Sequence, residues 1–125
     1  MKKTYLYLVI VIIILNSCKS EFDIYSLTIH MQASFEQDSV QVFIDDQEIF
    51  NDIFQTDHRI GLCYSNGQSN IDIPHGKHII KIIINNSLSK SEKFSMKRDS
   101  YLGVNYHPIT NEISIIYSQT PFMYD

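Results

Sequence analysis

Glycine is scarce in this chain, and its four copies, Gly61, Gly67, Gly76 and Gly103, never cluster. That spacing leaves no glycine loop of the kind that cradles phosphate, and no strand-to-helix elbow presents a nucleophilic serine. Cysteine is scarcer still: Cys18 and Cys63 allow at most one disulfide, so no covalent framework substitutes for a core. Cys63 lies in the apolar run Ile60-Gly61-Leu62-Cys63-Tyr64, where a buried, inert thiol is the default and a base beside it cannot be placed from sequence. Clustered positive charge is missing as well. Ten basic side chains face fourteen acidic ones for a net of −4, and past the N-terminal segment the one adjacent basic pair is Lys97-Arg98. Nucleic acid is therefore excluded as a partner, since nothing here neutralises a phosphate backbone. The longest apolar run, Tyr5 to Leu15, is too short for the ~20 residues of a membrane-crossing helix. Sustained helical periodicity is absent from everything after it.

What is present begins at the N-terminus. Two lysines at Lys2 and Lys3, the apolar run, and Leu15-Asn16-Ser17-Cys18 follow the order of an export signal: charged end, hydrophobic middle, processing site. Leu15-Asn16-Ser17-Cys18 resembles the lipobox of bacterial lipoproteins, although Asn16 departs from the commonest small or aliphatic residue. The resemblance covers about the first eighteen residues, and it implies diacylglycerol on the Cys18 sulfur, cleavage before Cys18 and acylation of the freed amine. Several acyl chains at ~0.8 kcal/mol per buried CH2 hold a protein firmly where one holds marginally. The implied organisation is a signal peptide over 1–17, a lipidated cysteine and polar tether over 18–23, and one domain over 24–125. Removal of Lys2 and Lys3 makes the remainder more acidic, at −6. The alternative is an ordinary signal cut, with Cys18 free or disulfide-bonded to Cys63. Lys19 and the acidic Glu21 and Asp23 after the cysteine resemble lipoproteins sent to the outer membrane, on its periplasmic or surface face.

The body reads as strands. Tyr25, Leu27, Ile29 and Met31 alternate with Ser26, Thr28, His30 and Gln32, the pattern of a half-buried strand. Val40, Val42 and Ile44 repeat it, and Asp45-Asp46-Gln47 predicts a hairpin into Glu48-Ile49-Phe50. Residues 51–59 read as a loop or short crossover. Ile60 to Tyr64, Ile71 to Ile73, Lys77 to Asn85, Glu92 to Met96, Tyr101 to Tyr106 and Ile113 to Tyr117 supply further strands between turn signals. Isoleucines on both faces of Lys77–Asn85 predict a central strand. About seven to nine short strands in one small domain predict an all-β antiparallel sandwich, with a barrel as the alternative.

Val40 to Asp46 with Ile49-Phe50, and Ile73-Pro74-His75-Gly76-Lys77-His78-Ile79-Ile80, are similar to the strand-turn-strand and Pro-x-Gly strand start of prealbumin-like or immunoglobulin-like accessory domains. The likeness covers about a third of the chain and implies a scaffold without catalytic residues.

Candidate chemistry is thin. His75 and His78 stand three apart in what reads as a strand, so they point to opposite faces and make a poor metal pair. Asp45-Asp46 and Asp57-His58 lack the spaced acidic pattern of a calcium loop and read as solvated turns. No metal and no cofactor is expected. The aromatics remain: Phe43 facing outward, Phe50 and Phe54 beyond the hairpin, and Phe122 and Tyr124 in a tail that Pro121 suggests folds back over the sheet. Most read as core, and the functional reading is a ligand-binding surface that takes a glycan ring or a partner strand. The expected function is thus a lipid-anchored, non-enzymatic binding or assembly module in the cell envelope. Membrane lipid would bind through acylated Cys18, with an envelope protein or glycan as partner. An accessory or inhibitory factor for an envelope enzyme is the alternative, followed by a small hydrolase.

Overall fold

The computed structural model describes residues 23–64 and 66–124. The lipobox and Cys18 lie outside them. Nine strands follow in order: β1 (Ile24–Met31), β2 (Glu36–Ile44), β3 (Gln47–Asp57), β4 (Leu62–Cys63), β5 (Gln68–Pro74), β6 (Gly76–Ile84), β7 (Leu88–Met96), β8 (Ser100–His107) and β9 (Glu112–Ser118). They form two sheets, ordered β5-β1-β8-β9 and β4-β3-β2-β6-β7. The sandwich expected from the alternation is what the chain adopts. One pairing departs from the antiparallel rule: β1 and β8 run parallel, with Leu27 opposite Ser100 and Met31 opposite Val104.

Alternate side chains of both sheets fill the space between them. Leu27, Ile29 and Met31 meet Val40, Val42, Ile80, Ile82, Leu102 and Val104, all fully buried. Burying each such side chain contributes about 1.5–3 kcal/mol, which is why β-branched residues at period two suffice to hold two sheets together.

Residues 51–57 correct the loop expectation, because β3 continues through them to Asp57. A bulge hides the pattern: Val42 faces Phe50 while Phe43 faces Glu48, so Ile49 is an extra residue. The strand then borders a partner of two residues, Leu62-Cys63, and its exposed edge tolerates Asn51 and Asp52. β1 corrects the half-buried expectation as well. Thr28, His30 and Gln32 on its second face are also buried. The C-terminal tail covers that face, with Phe122 and Tyr124 packed on the His30 ring at centroid distances of 5.5 and 5.6 Å.

The β2–β3 turn holds Asp45 and Asp46 at φ of 49° and 66°, the two positive values a two-residue type I′ hairpin requires. Asp45 is held there by its own hydrogen bonds, to the Ile79 amide at 2.9 Å and to His78. Asp46 has no such bond among the described residues. Replacing Asp46 by glycine relieves a left-handed backbone that costs L-residues about 1–2 kcal/mol, partly offset by the greater freedom of glycine in the unfolded chain. The expected result is a gain of about 0.5–1 kcal/mol in urea unfolding, and an unchanged or lower midpoint would contradict the turn assignment.

Candidate functional site

The five aromatics singled out from sequence do not form one surface. Phe54 is fully buried and Phe50 is 8 % exposed, both inside the core, where their rings meet edge-on at 5.6 Å. They are no ligand surface, because the β3 bulge turns both rings toward the opposite sheet. Phe43 lies half-buried on the outer face of the five-stranded sheet, between Lys81 and Glu48 on the neighbouring strands. Phe122 and Tyr124 lie on the outer face of the other sheet.

Around Tyr124 the contacts are polar and complete. The Asn105 amide donates to Gln32 Oε1 at 2.9 Å, the Gln32 amide donates to the Tyr124 hydroxyl at 2.8 Å, and that hydroxyl donates to His30 Nδ1 at 2.9 Å. Gly103 makes room for this chain, since a Cβ there would collide with the Gln32 amide. Burial lowers the His30 pKa and raises that of Tyr124, so both stay neutral. The Asn105 and Gln32 amides, the Tyr124 hydroxyl and His30 Nδ1 are joined to one another, which makes this a fastening for the tail.

Three of the other histidines, His58, His75 and His78, make side-chain contacts too, while the His107 ring is exposed. His78 Nε2 donates to the Pro74 carbonyl at 2.7 Å, while Nδ1 meets Asp45 Oδ2 at 2.5 Å. Burial works against the charge on Asp45, but bonds from His78 and the Ile79 amide outweigh it and hold the carboxyl below its ordinary pKa. The His75 ring lies tilted against Tyr25 at 6.2 Å, and His58 bonds Glu36 on the surface. Among the described residues no serine, threonine or cysteine is hydrogen-bonded to an imidazole, and no three His, Cys, Asp or Glu side chains gather in a metal-binding cluster. Cys63 is buried at 4 % exposure, with its thiol pushed up to about 11 chiefly by burial. At neutral pH it is a protonated, poorly nucleophilic thiol.

One feature with room for a ligand is a groove of about 360 Å³ where the sandwich stays open, between edge strands β7 and β9. Ile80, Phe94, Leu102, Ile115 and Tyr117 line it together with Ser95, Gln119 and the exposed Glu92, Lys93 and Lys97. Phe94 and Ile115 are half-buried and Tyr117 is 39 % exposed, so apolar surface faces solvent in a concave setting. Such a volume lies in the usual range for small-ligand pockets, about 300–1,000 Å³.

Its shape follows from β7. Opposite the inward residues His78, Ile80, Ile82 and Ile84 of β6 stand Phe94, Glu92, Lys90 and Leu88. Two charged residues in inward register keep the edge from closing over the core, a usual protection for edge strands. Two side chains bridge the gap instead: Lys90 Nζ donates to the Ile113 carbonyl at 3.0 Å, and the Tyr117 hydroxyl donates to the Ser95 carbonyl at 2.6 Å. Reading for alternation puts Phe94, Ile115 and Tyr117 in strands without marking a site. The signal that locates the groove is Lys90 and Glu92 interrupting the inward phase of Leu88, Phe94 and Met96. No family model, curated protein or solved structure matches the chain.

Proposed function

We propose that this protein is a lipid-anchored lipoprotein of the cell envelope, held at the outer membrane through acylated Cys18, whose sandwich binds a partner and carries out no catalysis. The observation that carries the binding half is the β7–β9 groove, a concavity lined by Ile80, Phe94, Leu102, Ile115 and Tyr117 with the exposed Glu92, Lys93 and Lys97 beside them. The engagement of His30, His58 and His78 in carbonyl, carboxylate and tyrosine contacts favours binding over hydrolysis, because a serine or cysteine nucleophile needs a base within reach. The lipobox-like Leu15-Asn16-Ser17-Cys18 supports the anchor.

Labelled palmitate fed to expressing bacteria is expected to enter the wild-type protein and to be absent from Cys18→Ala. Label retained in that variant would rule out the anchor. A photo-crosslinking residue in place of Tyr117 in intact cells is expected to yield a discrete adduct. The same residue at Ser89, on the outer face of β7, is expected to yield none. Indistinguishable products from the two positions would count against the groove.

A further inference from the structure

We infer that the β7–β9 groove binds the hydrocarbon chain of a medium-length fatty acid, with the carboxylate held at the mouth by Lys93 and Lys97. This rests on the reading of the groove as the binding site of a lipid-anchored protein and names its ligand.

Three observations select this occupant. First, five of the lining residues are aliphatic or aromatic, Ile80, Phe94, Leu102, Ile115 and Tyr117, while the charged ones, Glu92, Lys93 and Lys97, are exposed. An apolar body with one polar end matches that distribution. The mouth carries two lysines against the single carboxylate of Glu92, so the favoured end is anionic.

Second, strand addition, the other common use of an edge, is obstructed. The Ile113 carbonyl of β9 is taken by Lys90 and the Ser95 carbonyl of β7 by Tyr117. An added strand would have to displace Lys90 to use that carbonyl of β9, or Tyr117 to use that of β7. A chain entering between the bridges breaks neither.

Third, the groove opens at the end of the sandwich where the chain arrives. Ile24 pairs with Pro74, Gly76 with Met96, and Tyr101 with Ser118, which gathers Asp23, Lys97 and Gln119 at one end. The Asp23 carbonyl accepts the His75 amide at 2.7 Å, fixing the exit point of the tether. Five peptide links from Cys18 to Asp23 reach at most roughly 18 Å. A lipid on Cys18 therefore keeps the mouth close to a bilayer, the reservoir of acyl chains.

The test uses full-length protein in phosphatidylcholine nanodiscs with an alkyne-tagged diazirine analogue of dodecanoic acid as photoprobe. Labelling is expected in the segments holding Lys93–Lys97 and Ile115–Gln119, and unlabelled laurate is expected to abolish it. The double variant Lys93→Glu/Lys97→Glu changes only exposed side chains and is expected to bind about tenfold more weakly, the loss set by one charge-assisted contact. Glu92→Gln is expected to bind more tightly, an opposite sign that a general loss of structure cannot produce. Ile115→Trp, which fills the groove, is expected to lose labelling. Absence of laurate-competed labelling in these segments overturns the inference. So does equal competition by dodecanol, which removes the need for an anion, or displacement by an extended valine-rich peptide in place of laurate, which would make the site a strand acceptor. Acylation of Cys18 is read by mass on the same preparation. Acylated protein with an unlabelled groove defeats the ligand alone, and a labelled groove on unacylated protein defeats the anchor alone.

Discussion

Replacing Phe54 by alanine is expected to destabilise the protein by about 3–5 kcal/mol, a large share of the roughly 5–15 kcal/mol that holds a domain of this size together. The ring is fully buried between those of Phe50 and Phe35, at centroid distances of 5.6 and 6.2 Å. Phe35 in turn stacks on Tyr106 at 6.1 Å, so one aromatic cluster fills the core at the end away from the tether. Neighbouring backbone cannot collapse into the space, because Thr56 ties the β1–β2 connection to β3. Its hydroxyl donates to the Gln32 carbonyl at 2.7 Å and accepts from the Phe35 amide at 3.0 Å, and its own amide donates to the Phe35 carbonyl at 2.9 Å. The cavity term should therefore lie toward the upper part of the range. Equilibrium urea unfolding reads the loss directly. A change within ±0.5 kcal/mol, usual for surface positions, would mean that the ring faces solvent as a ligand-binding aromatic would.

Phe54 also marks the boundary of what the sequence makes legible. Alternation in Tyr25–Gln32, Val40–Ile44 and Lys77–Asn85 reports which faces are inward, because side chains in a strand repeat every two residues. The sandwich follows from that. The same rule fails at Phe50 and Phe54, since the bulge at Ile49 shifts the phase and polar residues at an exposed edge erase the contrast. It fails at Phe35 for a different reason. That residue is fully buried but lies in a connection, where no period exists to reveal it. The groove is a property of two strands far apart in sequence. β7 and β9 become neighbours only through the order of both sheets, and a parallel β1–β8 pairing is part of that order. Reading β7 alone still yields a clue in Lys90 and Glu92, as a charge in inward register has to face either a partner or an opening.

Tyr124→Phe is expected to cost about 1–3 kcal/mol, although one oxygen atom is all it removes. That oxygen accepts from the Gln32 amide and donates to His30 Nδ1, and Gln32 and His30 are each 7 % exposed. Without it a buried donor and a buried acceptor lose their partners at once. The same tail governs a pH dependence. His30 is held below its ordinary pKa of 6.5 by burial, so as pH falls past that value the unfolded chain takes up a proton that the folded chain refuses. Stability is expected to decline from about pH 7 downward and to level off once pH passes below the folded value. The carboxylates of Glu36, Asp45, Asp52 and Asp57, whose pKa values are lowered in the fold, act at a separate and more acid stage. Their contribution is present above the ordinary carboxylate range and is lost as pH falls through it. Three variants separate tail from ring. His30→Gln keeps an acceptor for Tyr124 but does not titrate, and its urea midpoint should be flat between pH 7.5 and 5. Tyr124→Phe should start lower and keep the slope, since burial causes the shift and the phenyl ring still covers His30. Removal of residues 120–125 uncovers the imidazole, so stability and slope should fall together. A slope that survives the truncation would place the titrating group elsewhere and leave the tail without its role as cover for β1.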